Sequence, residues 1–142
     1  MSTRCQVKVI QEGLPWEQAV TLYHHCDGYP TNMLPLFVKA MDLARKTECF
    51  SEYALGRAGK VAGFLCHADP GQFEPEEGHA LHLDIEFYYK LFAVNDKSGS
   101  MAERPKWKVA VFTYRLGELT EITGRLEIHK AAKQADKIEA AA

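Results

Sequence analysis

The sequence predicts an α+β fold in which two helices lie on one face of an antiparallel sheet, in the order ββααβββ. Two observations carry this prediction. Apolar residues alternate with polar ones towards both ends of the chain, and they recur every three or four residues in the middle. The first period is typical of half-buried strands and the second of amphipathic helices. A chain of 142 residues is long enough for one such domain, which we expect over residues 1–128.

The first two strands are predicted near the amino terminus. Their apolar side chains share one face, with Cys5, Val7 and Val9 in the first strand and Val20, Leu22 and Cys26 in the second. Gly13 and Pro15 can turn the chain between them, which favours a hairpin. A helix over residues 15–25 is the alternative. The β-branched and aromatic residues of that segment, and the Asp-Gly pair that follows it, favour the strand.

Two helices are predicted in the middle of the chain. The first begins near Asn32, with Thr31 or Asn32 as its cap, and buries Leu34, Phe37, Val38, Met41 and Ala44. Pro35 then falls in its first turn, where a missing N–H costs nothing. The second begins near Ser51 and buries Leu55, Ala58, Ala62, Leu65 and Cys66. Each glycine within it weakens the helix by about 1 kcal/mol relative to alanine.

Three further strands are predicted after a polar loop over residues 69–78. Their inward-facing sets are Ile85, Phe87, Tyr89, Leu91 and Ala93 in the third strand, Trp107, Val109 and Val111 in the fourth, and Ile122, Leu126 and Ile128 in the fifth. Residues 129–142 are rich in alanine but have little to bury. They are predicted to form a frayed helix or to be disordered.

The bulk composition narrows the classes of function. A net charge of −2 offers no basic surface, which disfavours nucleic acid and anionic membranes as partners. The sequence shows neither a secretory signal nor an apolar run of about 18 residues, so we expect a cytoplasmic protein with no membrane span. The four cysteines form no C-x-x-C pair and are expected to be reduced, packed thiols. No cofactor is expected.

The stretch LYHHCDGYP carries the densest set of reactive side chains. On a strand, Tyr23, His25 and Asp27 project from one face, whereas His24 projects towards the core and is predicted to be buried and hydrogen-bonded. An aspartate beside a histidine can orient the imidazole for acid–base chemistry. Asp-Gly is equally a turn sequence. Three interpretations stay open: a structural turn, a ligand or partner surface framed by Tyr23, His25, Asp27 and Tyr29, and a catalytic site.

The segment Tyr23-x-His25-x-Asp27-Gly28-Tyr29-Pro30, followed by an amphipathic helix, resembles uncharacterised small proteins, often phage or prophage encoded, that carry an H-x-D-G-Y-P signature. The stretches DIEFYYKLFAV and KWKVAVFTYR resemble their later aromatic strands. The resemblance covers the chain from about Cys5 to Ile128, although many members have tryptophan at the position of Cys26. It implies a fold and a phage context, and it transfers no catalytic residues.

Three histidines flank the acidic loop and are candidate metal ligands. His67, His79 and His82 could join Asp69 or Asp84 as ligands. Their spacings match neither H-E-x-x-H nor a zinc-finger pattern. The sequence therefore predicts no metal site.

Four aromatic residues lie opposite the predicted core positions of the later strands: Tyr88, Phe92, Phe112 and Tyr114. Large apolar patches on soluble proteins usually mark interfaces, so we expect a homodimer or a protein-binding surface there. The leading hypothesis is a non-enzymatic binding protein that engages a host protein, such as a defence component. The alternative is a small-molecule binder or weak hydrolase that uses a His25–Asp27 pair.

Overall fold

The chain forms one mixed sheet with helices packed against it, as described by a computed structural model that covers residues 3–15, 18–47, 57–94 and 106–142. The strands are β1 (Cys5–Gln11), β2 (Val20–His24), β3 (Phe73–Pro75), β4 (Phe87–Ala93), β5 (Lys108–Arg115), β6 (Glu118–Glu121) and β7 (Leu126–Glu127). The helices are α1 (Pro30–Lys46), α2 (Ala58–Ala68), α3 (Ile128–Lys133) and α4 (Ala135–Ala140). None of these four helices is long and apolar enough to span a bilayer.

The α+β class is confirmed, whereas the predicted element order is wrong. Over the described ranges the order is ββααβββββαα, with four helices rather than two. The sheet runs β3-β2-β1-β4-β5-β6, and β7 pairs with the remaining length of β5. The central strands β1 and β4 are parallel and all other described pairs are antiparallel.

Parallel strands cannot be joined by a tight turn, so the chain must cross the sheet between them. Helices α1 and α2 fill the connection from β2 to β3. Residues 76–86 then lead from β3, past β2 and β1, to β4; we call this segment the crossover. It contacts the side chain of Gln6, which projects from β1 on the face opposite the core residue Val7. The helices and the crossover therefore cover opposite faces of the sheet.

The main core lies between the sheet and the helices, and much of it was predicted. The fully buried side chains include Cys5, Val7 and Val9 of β1, Leu34, Phe37 and Met41 of α1, Tyr89 of β4, Val109 of β5, and Trp107, which immediately precedes β5. Ala58, Ala62 and Leu65 of α2 are also buried, as expected. The predicted start of the second helix, over residues 51–56, lies outside the described residues.

Helix α1 begins two residues earlier than predicted. Pro30 occupies its first turn, and Tyr29 is the N-cap residue without a side-chain cap. The backbone N–H and the hydroxyl of Thr31 both donate to the carboxylate of Glu139, at 3.1 and 2.8 Å. Pro35 therefore lies in the interior of the helix, not in its first turn. Glu139, more than 100 residues away in the sequence, therefore supplies the side-chain cap that Tyr29 does not provide.

The carboxyl-terminal residues pack against α1, although the sequence predicted a frayed helix or disorder. Ile128, Ala131, Ala135 and Ile138 are buried in the main core. Their spacing of three and four residues is the stripe of a helix that covers an apolar surface. That surface is provided by α1, which cannot be deduced from the composition of residues 129–142.

Two strand predictions need correction. The predicted fifth strand is reduced to Leu126–Glu127, because β6 precedes Ile122 and α3 begins at Ile128. The third predicted strand begins later than expected, at Phe87. Ile85 consequently lies in the crossover and packs with Tyr88 on the face away from the helices.

Candidate functional site

The H-x-D-G-Y-P segment turns the chain sharply between β2 and α1. Asp27 has a positive φ of 55°, and the N–H of Gly28 donates to the carbonyl of Thr3 at 2.8 Å. The buried hydroxyl of Tyr89 donates to the carbonyl of Gly28 at 2.7 Å. A Cβ atom on Gly28 would lie 2.8 Å from the Cβ of Cys5. Gly28 is therefore required by its close approach to β1.

The four residues predicted to frame a site are separated into two pairs. Tyr23 and His25 contact each other, with ring centroids 4.9 Å apart. Asp27 accepts a hydrogen bond from the hydroxyl of Tyr29 at 3.2 Å, and its charge raises the pKa of that phenol. His25 bonds to Glu74 rather than to Asp27. The predicted His25–Asp27 pair is not formed, because β2 ends at His24 and the left-handed turn at Asp27 breaks the strand alternation.

His24 is buried and hydrogen-bonded, as predicted. Its side chain is buried, and its Nε2 lies 2.8 Å from the carboxylate of Asp69. Its ring packs edge-on against Phe73 of β3. The imidazole therefore links β2 to the end of α2 rather than facing solvent.

A different set of residues gathers around Tyr23, on the face of the sheet away from the helices. We call it the crossover face; its members are Arg4, Thr21, Tyr23, His25, Glu74, Glu76, His79, His82, Leu83 and Asp84. Tyr23 and Glu74 are register partners on β2 and β3, so their side chains share this face. The remaining residues come from the ends of strands and from the crossover. The residues of the crossover face are therefore distant in the sequence and are brought together by the order of the strands and the path of the crossover.

A buried amide holds the crossover on the sheet. Gln6 is fully buried, and its Nε2 donates to the carbonyl of Ala80 at 3.2 Å. Its Oε1 accepts from the N–H of His82 at 3.0 Å. Further along, the N–H of Glu86 donates to the carbonyl of Arg4 at 2.9 Å. These bonds fix the height and register of the crossover above β1.

Tyr23 and Asp84 form the centre of the crossover face. The phenol donates to Oδ2 of Asp84 at 2.8 Å, and Arg4 bonds to the same oxygen at 2.6 Å. Burial and the hydrogen bond to Asp84 raise the pKa of Tyr23 to about 12. Partial burial raises the pKa of Asp84, but the bonds from Tyr23 and Arg4 and the charge of Arg4 outweigh it and lower that pKa. Near neutral pH the phenol is protonated and the carboxylate is ionised.

Two imidazoles flank the ring of Tyr23, and each is paired with a glutamate. His25 lies 3.0 Å from Glu74, and His82 lies 2.6 Å from Glu76. The ring centroids of His25 and His82 are 4.9 and 4.8 Å from that of Tyr23. A carboxylate partner fixes the orientation of an imidazole. Both histidines are half-exposed, so they are presented to solvent in defined orientations.

Within the residues that the structure describes, no three His, Cys, Asp or Glu side chains are grouped to hold a metal ion. The three candidate histidines, His67, His79 and His82, have other bonding partners or lie elsewhere in the fold. His67 lies on α2 beside Leu43 and Phe64. His79 bonds to Thr21 at 3.0 Å, and His82 bonds to Glu76.

The predicted aromatic interface is largely covered by the chain itself. Tyr88, Phe92 and Phe112 share the face opposite the helices, but all three are buried; Tyr114 is half-buried. The argument from exposure therefore fails for three of the four residues. Their role as an interface stays a prediction.

Cationic side chains complete this cover. The ammonium of Lys90 lies 5.1 Å from the ring centroid of Phe112. The guanidinium of Arg125 lies 3.7 Å from that of Phe92. Such cations are attracted to the ring face and hide apolar surface beneath a polar group.

A scan against known protein families and searches of curated proteins and of solved structures found no match. The resemblance of the H-x-D-G-Y-P segment to phage proteins stays a prediction.

Sequence reasoning missed the acidic half of the crossover face. The composition of residues 69–78 predicts a polar loop for Glu74 and Glu76, although Phe73 to Glu76 alternates apolar and acidic residues as a short strand does. Pro75 obscured that signal, because proline in sheets is confined mainly to edge strands and β3 is such a strand. The alternation of apolar and acidic residues around Pro75 is the signal from which strand β3 could have been predicted.

Replacing Gly28 with alanine is expected to lower the free energy of unfolding by about 1–3 kcal/mol, because the new methyl group would overlap β1 at Cys5. Gly63 of α2 is the matched control, since no atom lies within 4 Å of an added Cβ. Gly63→Ala is expected to raise the free energy of unfolding by about 0.5–1 kcal/mol. Urea unfolding of both variants tests this; effects of the same sign would contradict the assignment.

Replacing Asp84 with asparagine is expected to lower the free energy of unfolding near neutral pH by up to about 1 kcal/mol, because Asp84 and Arg4 are both partly exposed. The pKa of Asp84 is lowered in the folded state, so its charge stabilises the fold above the unfolded-state pKa of about 4. That stabilisation is lost as the pH falls through the folded-state pKa.

Urea unfolding at about pH 7 and about pH 3 measures this difference. The gap between wild type and Asp84→Asn should narrow at the lower pH. Asp136→Asn changes an exposed aspartate of α4 and serves as the control. A loss of the same size and pH dependence in the control would contradict a specific role for Asp84.

Proposed function

We propose that the protein is a non-enzymatic binding protein whose crossover face docks onto a partner protein. The observation that carries the proposal is Leu83, which is 88% exposed in the crossover between His82 and Asp84. A lone exposed leucine is ordinary on a protein surface. This one stands on a segment that Gln6 holds from below and whose neighbouring side chains are bonded to Glu76 and Tyr23. Its position is therefore fixed before a partner arrives, which lowers the entropic cost of binding.

The charges around Leu83 indicate the chemistry of the partner. The crossover face carries three carboxylates and one guanidinium: Asp84 is paired with Arg4, and Glu74 and Glu76 are each paired with an imidazole. An apolar contact within a polar rim is the usual anatomy of a protein interface. The face fits a basic protein surface with a small apolar pocket.

The state of the ionisable groups supports binding over chemistry. The ring of Tyr23 packs against both imidazoles, but the raised pKa of its hydroxyl, about 12, keeps that hydroxyl protonated and bonded to Asp84. Burial raises the pKa of the Cys5 thiol, which disfavours a thiolate there. The phage or mobile-element context, and a host defence component as target, enter this proposal only through the H-x-D-G-Y-P resemblance.

The alternative, a small-molecule binder or weak hydrolase, needs a different pair from the one predicted. His25 is oriented by Glu74 and not by Asp27. A half-exposed, carboxylate-paired imidazole is a suitable general base. Native mass spectrometry separates the two functions, since a co-purified small molecule that is lost in His25→Ala would favour the alternative.

A photo-crosslinking amino acid at position 83, in the cells that naturally carry the protein, is expected to capture a basic protein. Position 14 is the matched control, because Leu14 is also an exposed leucine but lies outside the crossover. With the captured partner purified, Leu83→Ala should weaken binding about tenfold or more, whereas Leu14→Ala should leave it unchanged. Equal capture at both positions, or affinity unchanged in Leu83→Ala, would rule out the crossover face as the binding surface.

A further inference from the structure

The hairpin between β5 and β6 carries a leucine in an unfavourable position. Leu116 and Gly117 both have positive φ values, of 53° and 80°. A turn of this kind favours asparagine or glycine, and the left-handed conformation is sterically unfavourable for other residues. The side chain of Leu116 is also fully exposed. Among the described residues, no other part of the chain covers the side chain of Leu116.

Strand β6 lies at an edge of the sheet, and only half of its backbone hydrogen-bonding groups are directed towards β5. The N–H of Ile122 donates to the carbonyl of Val111 at 2.8 Å, so Ile122 faces β5. Residues alternate along a strand, and Glu118 and Thr120 therefore face β5 while Leu119 and Glu121 direct their backbone groups outward. In the described ranges, no strand pairs with this outer edge. All four residues of β6 are exposed.

We propose that β6 pairs in antiparallel fashion with β6 of a second copy of the chain, about a twofold axis at Leu119. The two sheets then become one continuous sheet in a homodimer. In this register Leu119 faces its own symmetry mate, and Leu116 lies level with the half-buried Ile122 of the other copy. The exposed leucines of the hairpin are covered, which accounts for their presence there.

The side chains of β6 fit this register better than the neighbouring twofold registers. About Leu119, Glu118 faces Thr120 and Glu121 faces Gly117, so no two like charges are directly opposed. An axis at Glu121 would oppose two glutamates, which destabilises a cross-strand pair. An axis at Thr120 would place Leu119 against Glu121. The side-chain pattern is self-complementary, as an isologous interface requires.

The interface is small, so the dimer is expected to be weak and dependent on concentration. Sedimentation velocity of the full chain should show a mass that rises from 16.0 kDa towards twice that value as the concentration increases. The amide protons of Leu119 and Glu121 should exchange more slowly in the same range. Both effects follow from pairing of the outward backbone groups.

Two variants of Leu119 test the proposal with the fold intact. Leu119→Pro removes an outward N–H, which edge strands tolerate. Leu119→Lys keeps the backbone but places two ammonium groups on the axis. Both variants should remain monomeric, with circular dichroism like that of the wild type. Leu83→Ala alters an exposed leucine on another surface and should associate as the wild type does.

Three results would overturn the proposal. The wild type could stay at 16.0 kDa at every concentration. Folded Leu119→Pro and Leu119→Lys could associate as strongly as the wild type. Association could instead be lost in Leu83→Ala, which would place the contact between copies on the crossover face.

Discussion

The buried amide of Gln6 is the interaction on which the crossover face depends. Its side chain projects from β1 on the face away from the helices. The amide Nε2 donates to the carbonyl of Ala80, and the amide Oε1 accepts from the N–H of His82. A buried amide left without partners costs about 1–3 kcal/mol. The chain must therefore pass over β1 at this height. His82 then reaches the ring of Tyr23, and Asp84 reaches its hydroxyl.

The same constraint explains why the central sheet is buried on both faces. The parallel pair β1 and β4 requires a crossing connection, and helices already cover one face. The crossover and its residue Ile85 close over Tyr23 and Tyr88 on the other. Polar side chains are displaced to the rim, where histidines and carboxylates meet solvent. The crossover covers the second apolar cluster, which includes Tyr23, Ile85 and Tyr88. The ordered polar surface forms around the edge of this cover.

The features of the fold that can be predicted from the sequence are those determined by residues close to one another in the sequence. Alternation in β1 and β2, the stripe of α1 and the burial of His24 follow from local periodicity. The bonds of Gln6 to the crossover do not follow from local periodicity, because its partners lie more than 70 residues away. The Glu139 cap of α1 and the pairing of His25 with Glu74 are likewise long-range. Period-two reasoning failed at Asp27, since it assumes that the strand continues.

Hydrogen exchange of the crossover in a Gln6→Met variant tests whether the side chain of Gln6 holds the crossover on the sheet. Methionine preserves the volume of the side chain but leaves the carbonyl of Ala80 and the N–H of His82 without their partner. We expect faster exchange of amides over residues 79–86, while those of β4 and β5 keep their protection. Unchanged exchange over residues 79–86 would contradict the account, because the crossover would then be held without Gln6.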